Sequence, residues 1–217
     1  MKRVLLFAAA SLALASLAGT AAAADTHEMY AGVGTTGATI GYGQAFGPRT
    51  ALRVEGDFLS YSHDFNTSSA NYKGKLKIAA AGIYYDAFVA GPFRLTGGVL
   101  IGKREFNGHA DGIGGTVTIN HQQYSAAGQF IDARAKYSTV SPYVGLGWGH
   151  RPERGGLGFF GDVGVAYGHP SVSLNLSPEL AQAAGAENVA AEKASLESKA
   201  DNLKVYPVVR VGIDYQW

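Results

Sequence analysis

Apolar and polar residues alternate in steps of two along most of the chain beyond residue 25, the signature of half-buried β-strands. In 50–63, Leu52, Val54 and Phe58 share one face, and Arg53, Glu55, Asp57 and Tyr61 share the other. In 72–88, Leu76, Ile78, Ala80, Gly82 and Tyr84 oppose Lys73, Lys75, Lys77, Ala79 and Ala81. In 93–105, Phe93, Leu95, Val99 and Ile101 oppose Arg94, Thr96, Gly98 and Gly102. Val144, Leu146 and Trp148 oppose Tyr143, Gly145, Gly147 and Gly149; Phe159, Val163, Val165 and Tyr167 oppose Asp162, Gly164 and Gly168. The cleanest alternation is the last, "VVRVGIDYQW". There Val209, Val211, Ile213, Tyr215 and Trp217 oppose Arg210, Gly212, Asp214 and Gln216.

The stretch "MYAGVGTTGATIGYGQAF" reads either as one glycine-bent strand or as two strands near 28–35 and 38–46 with a turn at Thr36-Gly37. The connections decide for two. Short turns at 46–49, 90–92 and 151–156 alternate with longer polar stretches at 64–71, 107–138 and 170–203. Membrane barrels show that asymmetry, with short periplasmic turns and long extracellular loops. With both ends of the mature chain in the periplasm, the strand count must be even. Eight strands satisfy it.

Two features separate a barrel in lipid from a water-soluble sandwich. The polar face carries Arg53, Glu55, Asp57, Arg94, Asp162, Arg210 and Asp214 beside glycines, which suits ion pairing in a narrow lumen better than a solvated face. Aromatics gather near the strand ends: Trp217, Tyr215, Phe46, Phe88, Phe93, Trp148 and Phe159 toward the short turns, and Tyr61, Tyr72 and Tyr167 toward the loops. Such girdles mark the two bilayer interfaces. The expected fold is all-β: an eight-stranded antiparallel transmembrane β-barrel with a helix in the last extracellular loop. That helix starts at Ser177-Pro178-Glu179, an N-cap, a proline at the first helical position and an acid at the positive end. It continues through alanine-rich sequence weakened by Gly185. It reads as a solvated spacer or as a lid or contact element.

Composition bears on location. A basic start (Met1-Lys2-Arg3), an apolar run over Val4–Ala18 and the small residues Ala21–Ala24 form the layout of a secretory signal peptide. The expected division is 1–24 signal peptide and 25–217 barrel. Removing Lys2 and Arg3 takes the formal charge from +1 to −1, which gives nucleic acid no basic surface to bind. The chain has no cysteine, which excludes disulfides, thiolate metal sites and a cysteine nucleophile.

Chemical motifs are sparse. The histidines at 27, 63, 109, 121, 150 and 169 form no i,i+4 or H-x-H pair, so no metal site is expected from spacing. "GHADGIGG" at 108–115 lacks the Gly-Lys-Ser/Thr and the following helix of a phosphate loop, and Asp111 lacks the further carboxylates of an EF-hand. Ser62-His63-Asp64, with His121 and Ser125 in the next long loop, is the one set that could serve a lipid-modifying hydrolase. Yet adjacent Ser62 and His63 point to opposite faces of a strand. The expectation is therefore no enzyme, no cofactor and no metal.

The ending "VVRVGIDYQW" resembles the C-terminal insertion signal of bacterial outer-membrane barrels, with Val209, Val211, Ile213, Tyr215 and Trp217 as its apolar positions. Trp217 stands where Phe is usual. The mature chain resembles the small OmpA/OmpX/OmpW-like eight-stranded barrels. It resembles still more a proteobacterial group of outer-membrane proteins with no established activity. The residues that carry this are Gly34-Thr35-Thr36-Gly37, Pro142 through Gly149, Phe159 through Val165, and Tyr206-Pro207 with Gly212 and Tyr215. The resemblance implies residence in the outer membrane of a Gram-negative cell, insertion by the barrel-assembly machinery, and contact with outer-membrane lipids and lipopolysaccharide. A closed barrel of this size needs no partner for its edges, so a monomer is expected. The role it suggests is structural or surface interaction, with a narrow channel for small apolar solutes and lipid A modification as alternatives.

Overall fold

The computed structural model describes residues 26–66, 71–150 and 155–217. The expected signal peptide lies outside the described residues, as does most of the 151–156 turn. Eight strands form a closed ring: β1 (His27–Gly34), β2 (Gly37–Ala45), β3 (Thr50–Asn66), β4 (Asn71–Ala90), β5 (Phe93–Ile113), β9 (Val140–Trp148), β10 (Gly156–Tyr167) and β12 (Val205–Gln216). Every neighbouring pair is antiparallel, and β12 pairs with β1 to close the wall. Closure leaves no open edge, as lipid requires. Residues 28–46 are two strands, joined by a tight turn at Thr35-Thr36.

The wall is inverted relative to a soluble protein. Arg53, Arg94 and Arg210 are each 1% exposed, while Val33 and Leu146 on the outer surface are each 62% exposed. Val209, Val211, Ile213, Tyr215 and Trp217 all lie on that outer surface. An apolar exterior around a charged interior is the arrangement of a membrane-spanning barrel.

Four shorter strands occupy stretches that read as polar loops: β6 (Thr116–Ile119), β7 (Gln122–Ser125), β8 (Gln129–Lys136) and β11 (Ser171–Leu176). β3, β4 and β5 are 17, 20 and 21 residues long. About 9–11 residues cross the hydrocarbon, so these three rise well beyond it. β5 forks at Gly102 (φ 146°): residues 93–101 pair with β9, and from Glu105 onward the partner is β8, with β11 beyond. The result is a raised sheet on one side of the loop end. Its inner face carries Tyr61, Phe65, Tyr72, Leu76, Phe106 and, farther along, Ile131, Leu174 and Leu176.

The helix α1 (Pro178–Ala200) forms where expected, with Gly185 at φ 77° interrupting it. Leu180 and Ala184 dock against Ile119 of the β6–β7 hairpin, with Leu176, Ile131 and Tyr124 around them. Glu192 accepts from the backbone N–H of Asn120 at 2.8 Å. Ser177 does not cap the helix through its side chain. Its hydroxyl instead bonds Gln129 Oε1 at 2.5 Å, tying the helix start to β8.

Three placements differ from the sequence expectation. Phe88 shares the parity of Tyr84 and Asp86, so it turns inward and packs on Ala45 and Ala51 instead of joining an outer girdle. Tyr61 and Tyr72 have inward parity too and line the raised sheet, not a lipid belt. On β4 the more apolar face, from Leu76 to Tyr84, points inward. The lysines 73, 75 and 77 stand on the outer side above the lipid zone.

Candidate functional site

Among the described residues, the lumen holds a dense set of buried charges. Its lower tier is an alternating ring of charges. Asp86 on β4 receives Arg53 Nε in a short contact and Arg94 Nε at 3.2 Å. Asp162 on β10 receives Arg94 Nη2 at 2.6 Å and faces Arg53 Nη1 at 3.6 Å. Thr96 adds a hydroxyl to Asp86 at 2.6 Å. Two guanidiniums thus share two carboxylates, all four nearly sealed from solvent.

Arg94, Gly147, Asp162, Arg210 and Gly34 occupy one row across five adjacent strands. The glycines make the row possible. A Cβ on Gly147 would fall 2.4 Å from Asp162 Oδ1 and 2.6 Å from Arg94 Cζ, and one on Gly34 would strike the stem of Arg210 at 3.0 Å.

A second tier centres on Arg210. Its Nη2 lies 2.6 Å from Glu55 Oε1 and 3.1 Å from Asp57 Oδ2, and donates to Tyr84 Oη at 3.0 Å. The Tyr84 hydroxyl in turn donates to Glu55 Oε1 at 2.8 Å, and Tyr30 donates to the other Glu55 oxygen at 3.0 Å. Thr36 and Thr39 donate to Asp57 Oδ1 at 2.9 and 2.5 Å. Tyr84 and Tyr143 meet edge-on at 5.1 Å, and the Arg210 guanidinium lies 5.5 Å above the Tyr84 ring. Leu100, Val208 and Ala166 pack around these rings. Toward the loops, Arg104 donates to Ser141 Oγ at 2.6 Å and Ser138 O at 2.8 Å, while its Nε and Nη1 have no hydrogen-bond partner among the described residues.

The turn end holds a third group. His150, at φ 54° just past β9, projects inward between Tyr30 and Phe160, whose ring centroids lie 4.7 and 4.4 Å away. Its Nδ1 is 2.8 Å from Glu28 Oε2. Gln216 Nε2 donates to Asp214 Oδ2 at 3.0 Å and reaches Glu28 Oε2 at 3.4 Å.

Of the residues the sequence singles out, Arg53, Glu55, Asp57, Arg94, Asp162 and Arg210 come together in the two charge tiers. Asp214 does not: it lies in the lumen beside Gln216 and Glu28, and no cation pairs with it among the described residues. It sits four residues toward the turn end from Arg210 and hydrogen-bonds Gln216 instead. The sequence reading missed Asp86, Glu28 and His150. Asp86 and Glu28 were detectable, because both have the inward parity of their strands. His150 was not, because its orientation comes from a left-handed turn.

The hydrolase set does not assemble. Ser62 and His63 take opposite faces of β3, and His63 stacks with Tyr61 and Phe65. No hydrogen bond joins it to His121 or Ser125 among the described residues. A different histidine has carboxylate partners on the outer side of the raised sheet. His109 Nδ1 is 2.5 Å from Asp132 and its Nε2 is 3.2 Å from Asp111. These hydrogen bonds, that of Asp132 foremost, hold the imidazole pKa above its ordinary value. The group borders a polar cavity of about 590 Å³ that also involves Lys73, Lys75, Arg134 and Ser173.

The fold defines an eight-stranded transmembrane barrel of the outer-membrane type, with buried charged side chains in its lumen. The solved structures include two with the same fold, both from Acinetobacter baumannii. CarO2 matches with a TM-score of 0.63 at 21% identity, over 89% of this chain and 98% of that one. CarO matches with a TM-score of 0.59 at 22% identity, over 88% and 97%. No family model matches the sequence, and no curated protein matches it significantly.

Proposed function

We propose that this outer-membrane barrel is a non-enzymatic, monomeric envelope protein that acts through its raised outer surface and not through its lumen. The observation that carries the reading is the filled cross-section: Arg53, Arg94, Arg210, Asp57 and Asp86, each 1% exposed or less, with Tyr84 and Tyr143 above them. Eight-stranded barrels have room for side chains and little more. A passage here would have to break buried ion pairs, and that is costly.

With the short turns in the periplasm, the sheet of β3–β5, β8 and β11 stands outside the cell. Lys73, Lys75, Lys103, Arg134 and Lys136 lie on its outer side, level with or above the outer leaflet. Their chemistry suits lipopolysaccharide phosphates. The likeness to small OmpA/OmpX/OmpW-type barrels supports the same placement.

Single-channel recording in planar bilayers tests the reading. The purified barrel is expected to give no discrete conductance steps, and a reproducible open level would overturn the closed lumen. Mass spectrometry of lipid A from cells with and without the protein should show the same species.

A further inference from the structure

We propose that the turn end of the lumen is a binding site for one divalent transition-metal ion of the zinc class, held by Glu28, His150 and Asp214. One donor atom from each of these side chains lies within 4.8 Å of the other two, and all three residues are buried. Zinc bonds of about 2.0–2.2 Å set tetrahedral donors roughly 3.3–3.6 Å apart, so side-chain rotations of about an ångström close the site.

Two buried oxygens at this end of the lumen have no hydrogen-bond partner among the described residues: Asp214 Oδ1 and Gln216 Oε1, on residues 3% and 4% exposed. Buried polar groups are normally satisfied, and buried charges are paired or bind metals. Two carboxylates and a neutral imidazole match a divalent charge. The nearest guanidinium, Arg53, is already held by Asp86.

There is also space. A void of about 10 Å³ touches Glu28, His150 and Gln216, the size of a single small occupant. A neighbouring cavity of about 400 Å³ borders His150, Asp214 and Gln216 and gives an approach. Two glycines make room for the carboxylates. A Cβ at Gly43 would fall 2.3 Å from Glu28 Oε1, and one at Gly158 2.8 Å from Asp214 Oδ2. The ion would bond His150 through Nδ1. The ring proton would then sit on Nε2, keeping the imidazole neutral, and Arg53 Nη1, 3.5 Å from Nε2, would turn away from it toward Asp162. The ligands come from β1, the turn after β9, and β12, so the ion would tie three segments of the ring together at its turn end.

The test uses the full barrel folded in detergent, stripped with a chelator and titrated with zinc chloride by calorimetry. One zinc per chain is expected. Asp214→Asn and His150→Gln should each weaken binding at least tenfold while keeping the heat-modifiable gel mobility of a folded barrel. His109→Gln, which removes the exposed His109–Asp132 pair, should leave the titration unchanged. No saturable binding to the wild-type protein would overturn the proposal. So would binding that survives Asp214→Asn and disappears with His109→Gln. If His150→Gln does not fold, zinc-edge absorption on the wild type and on His109→Gln decides. An imidazole-plus-oxygen signature retained in His109→Gln upholds the site, and its loss there refutes it.

Discussion

Arg94 and Asp162 meet at 2.6 Å because Gly147, the residue between them in their row, has no side chain. Gly147→Val should therefore push the pair apart and leave two buried charges poorly matched. A loss of about 3–5 kcal/mol is expected, the range for breaking a buried pair. Gly97, on the outer wall of β5, has nothing within 4 Å of an added Cβ, so Gly97→Val is the control. Urea midpoints in detergent, read from heat-modifiable mobility, should fall for the first and hold for the second.

Arg210 satisfies Glu55, Asp57 and Tyr84 at once. Arg210→Ala strands two carboxylates in the lumen and should also cost about 3–5 kcal/mol. Lys193 pairs with Glu197 at 3.7 Å on an exposed stretch of α1. Lys193→Ala should change stability by no more than about 0.5 kcal/mol. Equal urea midpoints for the two variants would contradict the role given to the second tier.

Leu180 is 1% exposed and is the main side chain by which α1 grips the β6–β7 hairpin. Leu180→Ala should weaken that docking by about 2–5 kcal/mol. Because the contact lies outside the ring, the loss should remain local. Trypsin should cut faster at Lys193 and Lys199, while the urea midpoint of the barrel stays where it was.

His109 lies on the raised part of β5, beyond the lipid-facing wall, and its pKa is raised chiefly by the hydrogen bond with Asp132. A raised folded-state value means the contact stabilises β5–β8 pairing fully below the ordinary histidine pKa of about 6.5. That contribution is lost as pH climbs through the raised value. NMR titration of the His109 ring should show the elevation, and Asp132→Asn should bring it back toward the ordinary range. Amide exchange in β8 should quicken over the same pH interval.

The ring was legible in the sequence because lipid imposes strict alternation, and each lumen charge betrays the parity of its strand. Arg53, Glu55 and Asp57 on β3 are the plainest case. The raised sheet was not legible. β8 and β11 do alternate in steps of two, but they are only eight and six residues long, and their alanines, serines and asparagine sink into long polar stretches that read as loop. β5 continues past Gly102 with a new partner, which no local pattern encodes. Partner choice within the lumen was hidden as well. Spacing placed Asp214 inside, but reach across the barrel decides that Arg210 turns to Glu55 and Asp57.

The pairing of Arg210 with Glu55 and Asp57 joins the last strand of the ring to the third. The Arg94–Asp162 contact likewise spans from β5 to β10. Arg210 reaches Glu55 and Asp57 from the same strand that pairs with β1, so sealing the wall and neutralising these two lumen carboxylates are one structural event.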